Sequence, residues 1–335
     1  MPQTQIAAGR GFTYLDNLGR IGGSSTTFWH PCGLGRGEND VLYVLNWGNE
    51  FNPSTRITKC TLATQEFLLD IGSRGDGDGE FEWPGGLAVD SKENLYVTDQ
   101  SNHKVVAFTK DGEFVGKWGT KGSGQGQFYK PNGIVLDQDE NFYIVDSLNN
   151  RVQRYTKDGQ FLGQFGEGGS GDGQFNRPWG VGLDPEGNVY VADWGNNRVQ
   201  KLSPEGRYLA TFGRSADEKA NVDHPSAVAV DKDGDVYVAD WGNHRVIIYE
   251  PDGTYLATII GDATNLSRWA QAAVDANPDL QKARERVDLE PEWRLWHPAA
   301  LHIGDDYKIL IGDLQHMRVQ VYEKEPNYME AQFTL

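Results

Sequence analysis

The chain has 335 residues, 41 of them glycine, and its 48 acidic and 31 basic side chains leave a net charge of −17. An acidic surface without a basic run repels phosphate backbones, so we expect no nucleic-acid partner. No apolar stretch approaches the roughly 20 residues of a membrane-spanning helix, and residues 1–10 lack a signal-peptide pattern. With only two cysteines, Cys32 and Cys60, no disulfide framework is indicated. We therefore expect a cytoplasmic protein with no membrane partner.

The N-terminal part contains a segment that matches a later strand. Residues 18–22 (LGRIG) resemble residues 162–166 (LGQFG), which end a repeat. This match predicts that an N-terminal strand completes the last repeat and covers two sheet edges. The C-terminal residues 325–335 are a strand or tail that could take the same edge, and the sequence leaves this choice open.

Six repeats follow, and each begins at a proline that we call the frame proline. These are Pro31, Pro84, Pro131, Pro178, Pro225 and Pro298, spaced by 53, 47, 47, 47 and 73 residues. The residues that close the second predicted strand show the same spacings: Asn46, Asp99, Asp146, Asp193, Asp240 and Asp313. Each repeat contains four short apolar segments joined by tight turns such as Asp158-Gly159. The sequence thus predicts an all-β, six-bladed β-propeller of four-stranded antiparallel blades over residues 11–324.

Some features recur in nearly every repeat and are interpreted as structural. The strand-closing Asp is followed five positions later by a basic residue, as in Asp193 and Arg198. A carboxylate there can accept backbone N–H groups and pair with the basic side chain. The glycine-rich residues 74–80 lack the length and terminal glutamate of a calcium loop, which indicates a crossover between blades.

Two departures from the repeat fall in neighbouring blades of a closed ring. Blade one has Asn46 in place of Asp, followed by a turn five residues longer than in the other repeats. Blades five and six are separated by an insertion, residues 262–296. Its apolar residues at 266, 269, 270 and 273 predict one helix, and Asn277-Pro278 predicts a second helix through Arg286. Both departures are expected over one sector of the rim, where a lid or recognition element belongs.

The repeat resembles the NHL repeat family over almost the whole chain, from about Gly11 to Lys324. Residues 178–199 carry the frame P-x-G…G-N-x-Y-V-A-D-x-x-N-x-R-V in full. The resemblance implies a six-bladed ring but no single function, because relatives include ligand-binding sensors, partner-binding domains and a few enzymes. In one such enzyme, peptidyl-hydroxyglycine amidating lyase, zinc-binding histidines follow the frame prolines. Here those positions hold Cys32, Gly85, Asn132, Trp179, Ser226 and Ala299, so that mechanism does not transfer.

The candidate ligand-binding residues are mostly aromatic and are expected at one rim. Tryptophan follows the strand-closing residue or the frame proline, and a tryptophan-rich mouth suits stacking on a sugar, an aromatic ligand or a peptide. The alternative is that tryptophan only fills a turn. Cys32 is either a nucleophile or a buried inert thiol. His302 takes a channel-facing position that is small in other blades. The predicted set is Trp47, Asn46, Trp179, Trp194, Trp241, His302 and Cys32.

Three histidines, His30, His224 and His297, precede the frame prolines of blades one, five and six. Three neutral imidazoles could hold zinc or another divalent cation such as calcium and leave a position open for substrate. The alternative is a rim position that tolerates any polar side chain. No catalytic residue is identified.

Three functions remain open. The first is binding of a small molecule or peptide at the rim of blades five, six and one. The second is a metal-assisted lyase or hydrolase, and the third is a protein-interaction scaffold that uses residues 262–296.

Overall fold

The structure is a computed structural model that describes residues 4–19, 27–48 and 54–328. These residues form six antiparallel sheets, each with the four strands of a propeller blade. The innermost strand of each blade contacts the innermost strands of both neighbours, and those of blades six and one also touch. The ring is therefore closed, and the predicted six-bladed β-propeller is confirmed.

In each blade the chain runs outward from an inner strand that begins at or just after the frame proline. The inner strands are Pro31–Arg36, Pro84–Val89, Pro131–Leu136, Val181–Leu183, Pro225–Val230 and Pro298–Ile303. The second strands are Val41–Asn46, Leu95–Asp99, Phe142–Asp146, Val189–Asp193, Val236–Asp240 and Lys308–Asp313. The third strands are Arg56–Thr61, Lys104–Phe108, Arg151–Tyr155, Arg198–Leu202, Arg245–Tyr249 and Arg318–Glu325. The fourth strands are Phe67–Ile71, Phe114–Trp118, Phe161–Phe165, Tyr208–Phe212, Tyr255–Ile259 and, for blade six, Arg10–Leu18.

An N-terminal strand closes the ring, so the structure decides between the two termini where the sequence leaves the choice open. Arg10–Leu18 pairs with Arg318–Glu325 from Gly11 opposite Glu325 to Leu18 opposite Val319. Thr4–Ala7 then adds a fifth strand on the outside of blade six. The described part of the C-terminal tail ends at Tyr328, whose N–H donates to the Gly9 carbonyl at 2.9 Å.

The closing strand ends three residues earlier than the match with residues 162–166 predicts. Gly19 has φ +98°, and a Cβ on it would clash with Phe28, just as a Cβ on Gly166 (φ +94°) would clash with Phe175. Gly19 is therefore the equivalent of Gly166. Residues 20–22 of the predicted segment lie outside the described residues.

The insertion contains the two predicted helices and a short third one: α1 (Arg268–Asp275), α2 (Pro278–Arg284) and α3 (Glu290–Trp293). Ser267 and Asn277 cap α1 and α2 by accepting backbone N–H groups. Helix α1 buries Trp269 against Phe28, and the Trp269 indole donates to the Gln65 carbonyl at 2.6 Å. These contacts place α1 against the perimeter between blades six and one. No helix among the described residues is long and apolar enough to cross a membrane.

The recurrent aspartates are structural, and in blades three to six their carboxylates bind the arginine five positions later at 2.7–2.9 Å. The other carboxylate oxygen accepts the N–H of the residue two before the frame proline, as from Tyr129 to Asp146 at 2.6 Å. This hydrogen bond connects the end of the second strand to the segment that leads into the inner strand of the same blade. Blade two differs from the prediction, because Lys104 pairs with Asp76 at 2.7 Å rather than with Asp99.

A buried ion cluster at the other end of the ring joins blades five and six. The Lys324 ammonium lies 2.6 Å from Asp231, 2.9 Å from Asp233 and 2.7 Å from Asp235, and its side chain is 1% exposed. Arg10 of the closing strand adds contacts of 2.8 Å to Asp235 and 3.2 Å to Glu250. The cluster therefore connects both ends of the described chain to the turn after the inner strand of blade five.

Candidate ligand-binding site

A pocket of about 460 Å³ opens at the end of the central channel where the frame prolines lie, which we call the mouth. All six blades contribute the first three residues after their frame prolines. The third of these is a branched aliphatic residue in every blade, and no later residue of an inner strand lines the pocket. These six side chains therefore form its floor: Leu34, Leu87, Ile134, Val181, Val228 and Leu301.

Four tryptophans form the upper walls of the pocket. Trp47 and Trp83 come from blades one and two, and Trp179 and Trp241 come from blades four and five. In a closed ring of six, blade one is opposite blade four and blade two is opposite blade five. The two pairs of indoles therefore lie on opposite sides of the mouth.

Each of these indoles is held by another aromatic ring. Trp47 and Trp83 stack on each other with centroids 5.3 Å apart and planes at 21°. Trp179 rests against Trp194 at 5.6 Å, and Trp241 stacks on His297 at 3.9 Å and 9°. Side chains that are already fixed lose little conformational entropy when a ligand arrives, which favours binding.

The polar groups that the described residues contribute to the pocket are all uncharged. Among the described residues, none of those lining it is Asp, Glu, Lys, Arg or His, although the chain has a net charge of −17. Its polar side chains other than indoles and Cys32 are three carboxamides, Gln100, Asn132 and Gln315, and the hydroxyl of Ser226. That hydroxyl donates to the Pro298 carbonyl at 2.7 Å. Because a charged ligand would find no counter-charge among the described lining residues, this lining favours a neutral ligand.

The structure brings four of the predicted ligand-binding residues into this lining: Cys32, Trp47, Trp179 and Trp241. Asn46 lies behind the wall, where its Oδ1 accepts the N–H of Trp29 at 3.0 Å. Trp194 supports Trp179 from outside. His302 lies beyond the floor, towards the other end of the channel, where burial and the nearby Arg36 lower its pKa to about 4.

The predicted set omits four lining residues, Trp83, Gln100, Asn132 and Gln315, although Trp83 is one of the tryptophans that the sequence places near a frame proline at the rim. Trp83 occupies the position before a frame proline, where every other repeat has a histidine, lysine or arginine. This exchange of a basic side chain for an indole is the signal that could have identified Trp83. Asn132 stands directly after a frame proline, at a position whose residue differs in every repeat.

The three histidines before frame prolines each contact a different indole. His224 lies 4.2 Å from the ring of Trp194, His297 stacks on Trp241, and His30 lies 5.7 Å from Trp47. Burial lowers the pKa of His30, and burial together with His244 lowers that of His297. Among the described residues, no group of three or more His, Cys, Asp or Glu side chains is arranged to hold a metal ion.

The residue before the frame proline has the same backbone conformation in most blades, whether or not it is histidine. Five of the six residues before frame prolines have φ between +49° and +58°: His30, Lys130, Arg177, His224 and His297. The N–H of four of them donates to a side chain of the preceding blade, for example from Arg177 to Asn150 at 2.8 Å. Because this conformation is shared by residues with different side chains, we interpret the position as a structural contact between neighbouring blades.

Cys32 lines the pocket as a protonated thiol and does not act as a nucleophile. Burial raises its pKa to about 12, and its Sγ–H donates to the Leu45 carbonyl at 3.6 Å. In a Cys60→Ser variant we expect native Cys32 to react with iodoacetamide at pH 8 about 10³-fold more slowly than the unfolded chain, because little thiolate forms. Mass spectrometry of timed samples measures the rate. Alkylation as fast as in the unfolded chain would contradict the interpretation.

The pocket is not confined to the sector of blades five, six and one that the sequence singles out. Among the described residues, none from the insertion, residues 262–296, lines it. The long turn of blade one, residues 49–53, lies outside the described residues. The insertion therefore packs on the perimeter, and the mouth draws on the whole ring.

Comparison with protein families agrees with the architecture. Residues 175–202 and 223–249 match the NHL repeat, and residues 87–166 match DUF5128, described as a 6-bladed beta-propeller. A curated relative, Protein lin-41 of Caenorhabditis elegans, is 41% identical over 56 residues, which are 17% of this chain and 5% of that protein. The chain therefore corresponds to a small part of that relative's length.

Solved structures share the fold at low sequence identity. A protein of unknown function from Bacteroides thetaiotaomicron has a TM-score of 0.62 and 18% identity, covering 94% of this chain and 76% of its own. A gluconolactonase from Xanthomonas campestris has a TM-score of 0.62 and 12% identity, covering 97% and 95%. Virginiamycin B lyase from Staphylococcus aureus, solved with Quinupristin, has a TM-score of 0.56 and 11% identity, covering 96% and 90%. At these identities the likeness concerns the fold alone.

Proposed function

We propose that this chain, a six-bladed β-propeller with NHL repeats, binds an uncharged, largely apolar small molecule at the mouth of its central channel. The observation that carries the proposal is the pair of opposed indole walls above an aliphatic floor, with no charged side chain among the described lining residues. Ring faces stack on indoles, and an uncharged lining gives no gain to an ionised group.

The volume and shape of the pocket support a compact ligand. About 460 Å³ lies within the usual range of small-molecule sites, and the floor ends the pocket at the third residue after each frame proline. An extended peptide would have to leave most of its length outside. We therefore place a small molecule ahead of a peptide as the occupant.

Replacing Trp241 with alanine is expected to weaken binding of a neutral aromatic probe by about 10- to 100-fold, because a fixed stacking surface is lost. The probe is 6-propionyl-2-dimethylaminonaphthalene, whose fluorescence reports transfer from water to an apolar site. Titration should give one probe per native chain. A Trp296→Ala variant is the control, because Trp296 is 49% exposed and does not line the pocket.

Two results would contradict this proposal. One is equal probe affinity in the native chain and the Trp241→Ala variant while both remain folded. The other is tighter binding of the anionic dye 1-anilinonaphthalene-8-sulfonate than of the neutral probe, because the uncharged lining predicts the opposite order.

The metal-assisted lyase or hydrolase remains a separate hypothesis, with His30, His224, His297 or His302 as ligands. The named gluconolactonase and lyase neighbours share the fold, and no ligand group among the described residues supports a metal. Stoichiometric zinc or calcium in the purified protein, lost in a His224→Ala variant, would favour it. The scaffold hypothesis for residues 262–296 also stays a prediction, which deletion of that segment and a partner-capture assay would test.

A further inference from the structure

The polar groups of the pocket suggest which neutral ligands it accepts, an inference that rests on the proposed function. Gln100, Asn132 and Gln315 come from blades two, three and six, and none of their side chains hydrogen-bonds another described residue. Uncommitted carboxamides in a largely apolar pocket are the usual source of ligand orientation.

Asn132 differs from the two glutamines because it is deeply buried. The residue is 3% exposed, and its Oδ1 has no hydrogen-bond partner among the described residues. Gly85 of blade two makes room for this oxygen, since a Cβ at Gly85 would lie only 2.8 Å from it. A buried carbonyl oxygen without a donor costs free energy, so a ligand that supplies a donor to the Asn132 carboxamide gains affinity.

The chemical complement of a carboxamide is another amide-like edge. The side chain offers a donor and an acceptor side by side, and an adjacent N–H and C=O on the ligand satisfy both at once. The carboxamide can turn about its last torsion, which is broad and roughly two-fold, to present this edge. The indole walls in turn select a flat ring.

We infer that the pocket binds a neutral, planar heterocycle with an amide edge, such as a pyrimidinone or lactam ring, and that Asn132 determines this specificity. A phosphorylated form of such a ring is excluded because no described lining residue is cationic. Asn132 acts here by binding, with no covalent step.

The test compares uracil with 1,3-dimethyluracil, in which methyl groups replace both N–H donors on the same ring. Affinities are measured by saturation-transfer NMR and by displacement of the naphthalene probe. We expect the native chain to prefer uracil by about 10-fold, the size of one hydrogen bond to a group otherwise left unpaired. Uridine 5′-monophosphate should bind more weakly than uracil.

An Asn132→Leu variant should remove or reverse the preference for uracil over 1,3-dimethyluracil. We expect this variant to fold, because the equivalent position holds Cys32, Trp179, Ser226 or Ala299 in other blades. Asn132→Ala is the second variant. Gln138→Leu, the same kind of change on the exposed turn of blade three, is the control and should keep the preference.

The inference is overturned if the native chain binds the two uracils equally, or if its preference survives in Asn132→Leu. The comparison of uracil with 1,3-dimethyluracil on the native chain tests the inference even if neither variant folds. If the native chain did not bind the naphthalene probe at all, the proposed function itself would be wrong. The failure of the inference and the failure of the proposed function are therefore distinguishable.

Discussion

Replacing Lys324 with methionine is expected to lower the free energy of unfolding by about 3–5 kcal/mol, the usual cost of removing one partner from a buried ion pair. Lys324 is the cation closest to Asp231, Asp233 and Asp235, which lie 2.6–2.9 Å from its ammonium. Methionine fills a similar volume but leaves these carboxylates with too little positive charge. Denaturant unfolding of native and variant chains measures the change.

A Lys201→Met variant is the matched control for this prediction. Lys201 forms one ion pair, with Asp184 at 2.9 Å, and its side chain is 20% exposed. We expect a clearly smaller loss, because only one carboxylate loses its cation, and Asp184, although 2% exposed, keeps hydrogen bonds from Asn188 and Tyr190. If both variants lost the same free energy of unfolding, the buried cluster would contribute no more stability than a single ion pair, which contradicts the prediction.

The same cluster predicts a dependence on alkaline pH. Burial alone would lower the pKa of Lys324, but its hydrogen bonds with Asp231, Asp235 and Asp233 outweigh burial and raise it above the ordinary value. A raised lysine pKa gives stability that is complete below the unfolded pKa of about 10.4 and is lost as pH rises through the folded pKa. The gap between native and Lys324→Met chains should therefore narrow only at strongly alkaline pH.

Deleting residues 1–18 is expected to cost more than about 5 kcal/mol and to abolish cooperative unfolding. The closing strand buries Phe12, Tyr14 and Leu18, which are 2%, 5% and 0% exposed, and each buried side chain of this kind contributes about 1.5–3 kcal/mol. Deletion also leaves the edge of Arg318–Glu325 unpaired. Thermal unfolding followed by circular dichroism measures the effect.

A circular permutant tests whether the cost comes from the strand itself. The permutant begins at Thr27 and carries residues 10–18 after Glu325, joined by a copy of the tight turn at residues 157–160. Gly11 lies opposite Glu325, so this connection forms the same hairpin that the other blades have. We expect stability close to that of the native chain. A permutant as unstable as the deletion would refute the role given to the closing strand.

The fold could be predicted because its signals repeat. One proline and one strand-closing residue per blade, Asp in five blades and Asn in blade one, give the same spacings, and the aspartate pairs with the following arginine in four blades. The helices of the insertion were also predicted, the first from the apolar spacing of residues 266, 269, 270 and 273 and the second from Asn277-Pro278, and the structure shows Ser267 and Asn277 as their caps. The end of the closing strand was misplaced by three residues, because glycine occurs at both 19 and 22 and only Gly19 packs against Phe28.

The pocket was harder to predict because its lining differs from blade to blade. Comparing repeats drew attention to the irregular blades five, six and one, whereas the lining comes from regular blades as well. Asn132 lies in a blade whose frame is nearly perfect, so no irregularity marks it. Its importance depends on burial and on the absence of a partner, which only the three-dimensional arrangement reveals.

The closing strand has a consequence for biosynthesis. Arg10–Leu18 leaves the ribosome long before its partner, Arg318–Glu325, has been made. During that interval Phe12, Tyr14 and Leu18 have no sheet to join, while blades one to five can already form from local hairpins. Pairing between distant parts of a chain is slow and leaves apolar surface open to aggregation. We therefore expect nascent chains to need protection at their N-terminal segment until translation is nearly complete.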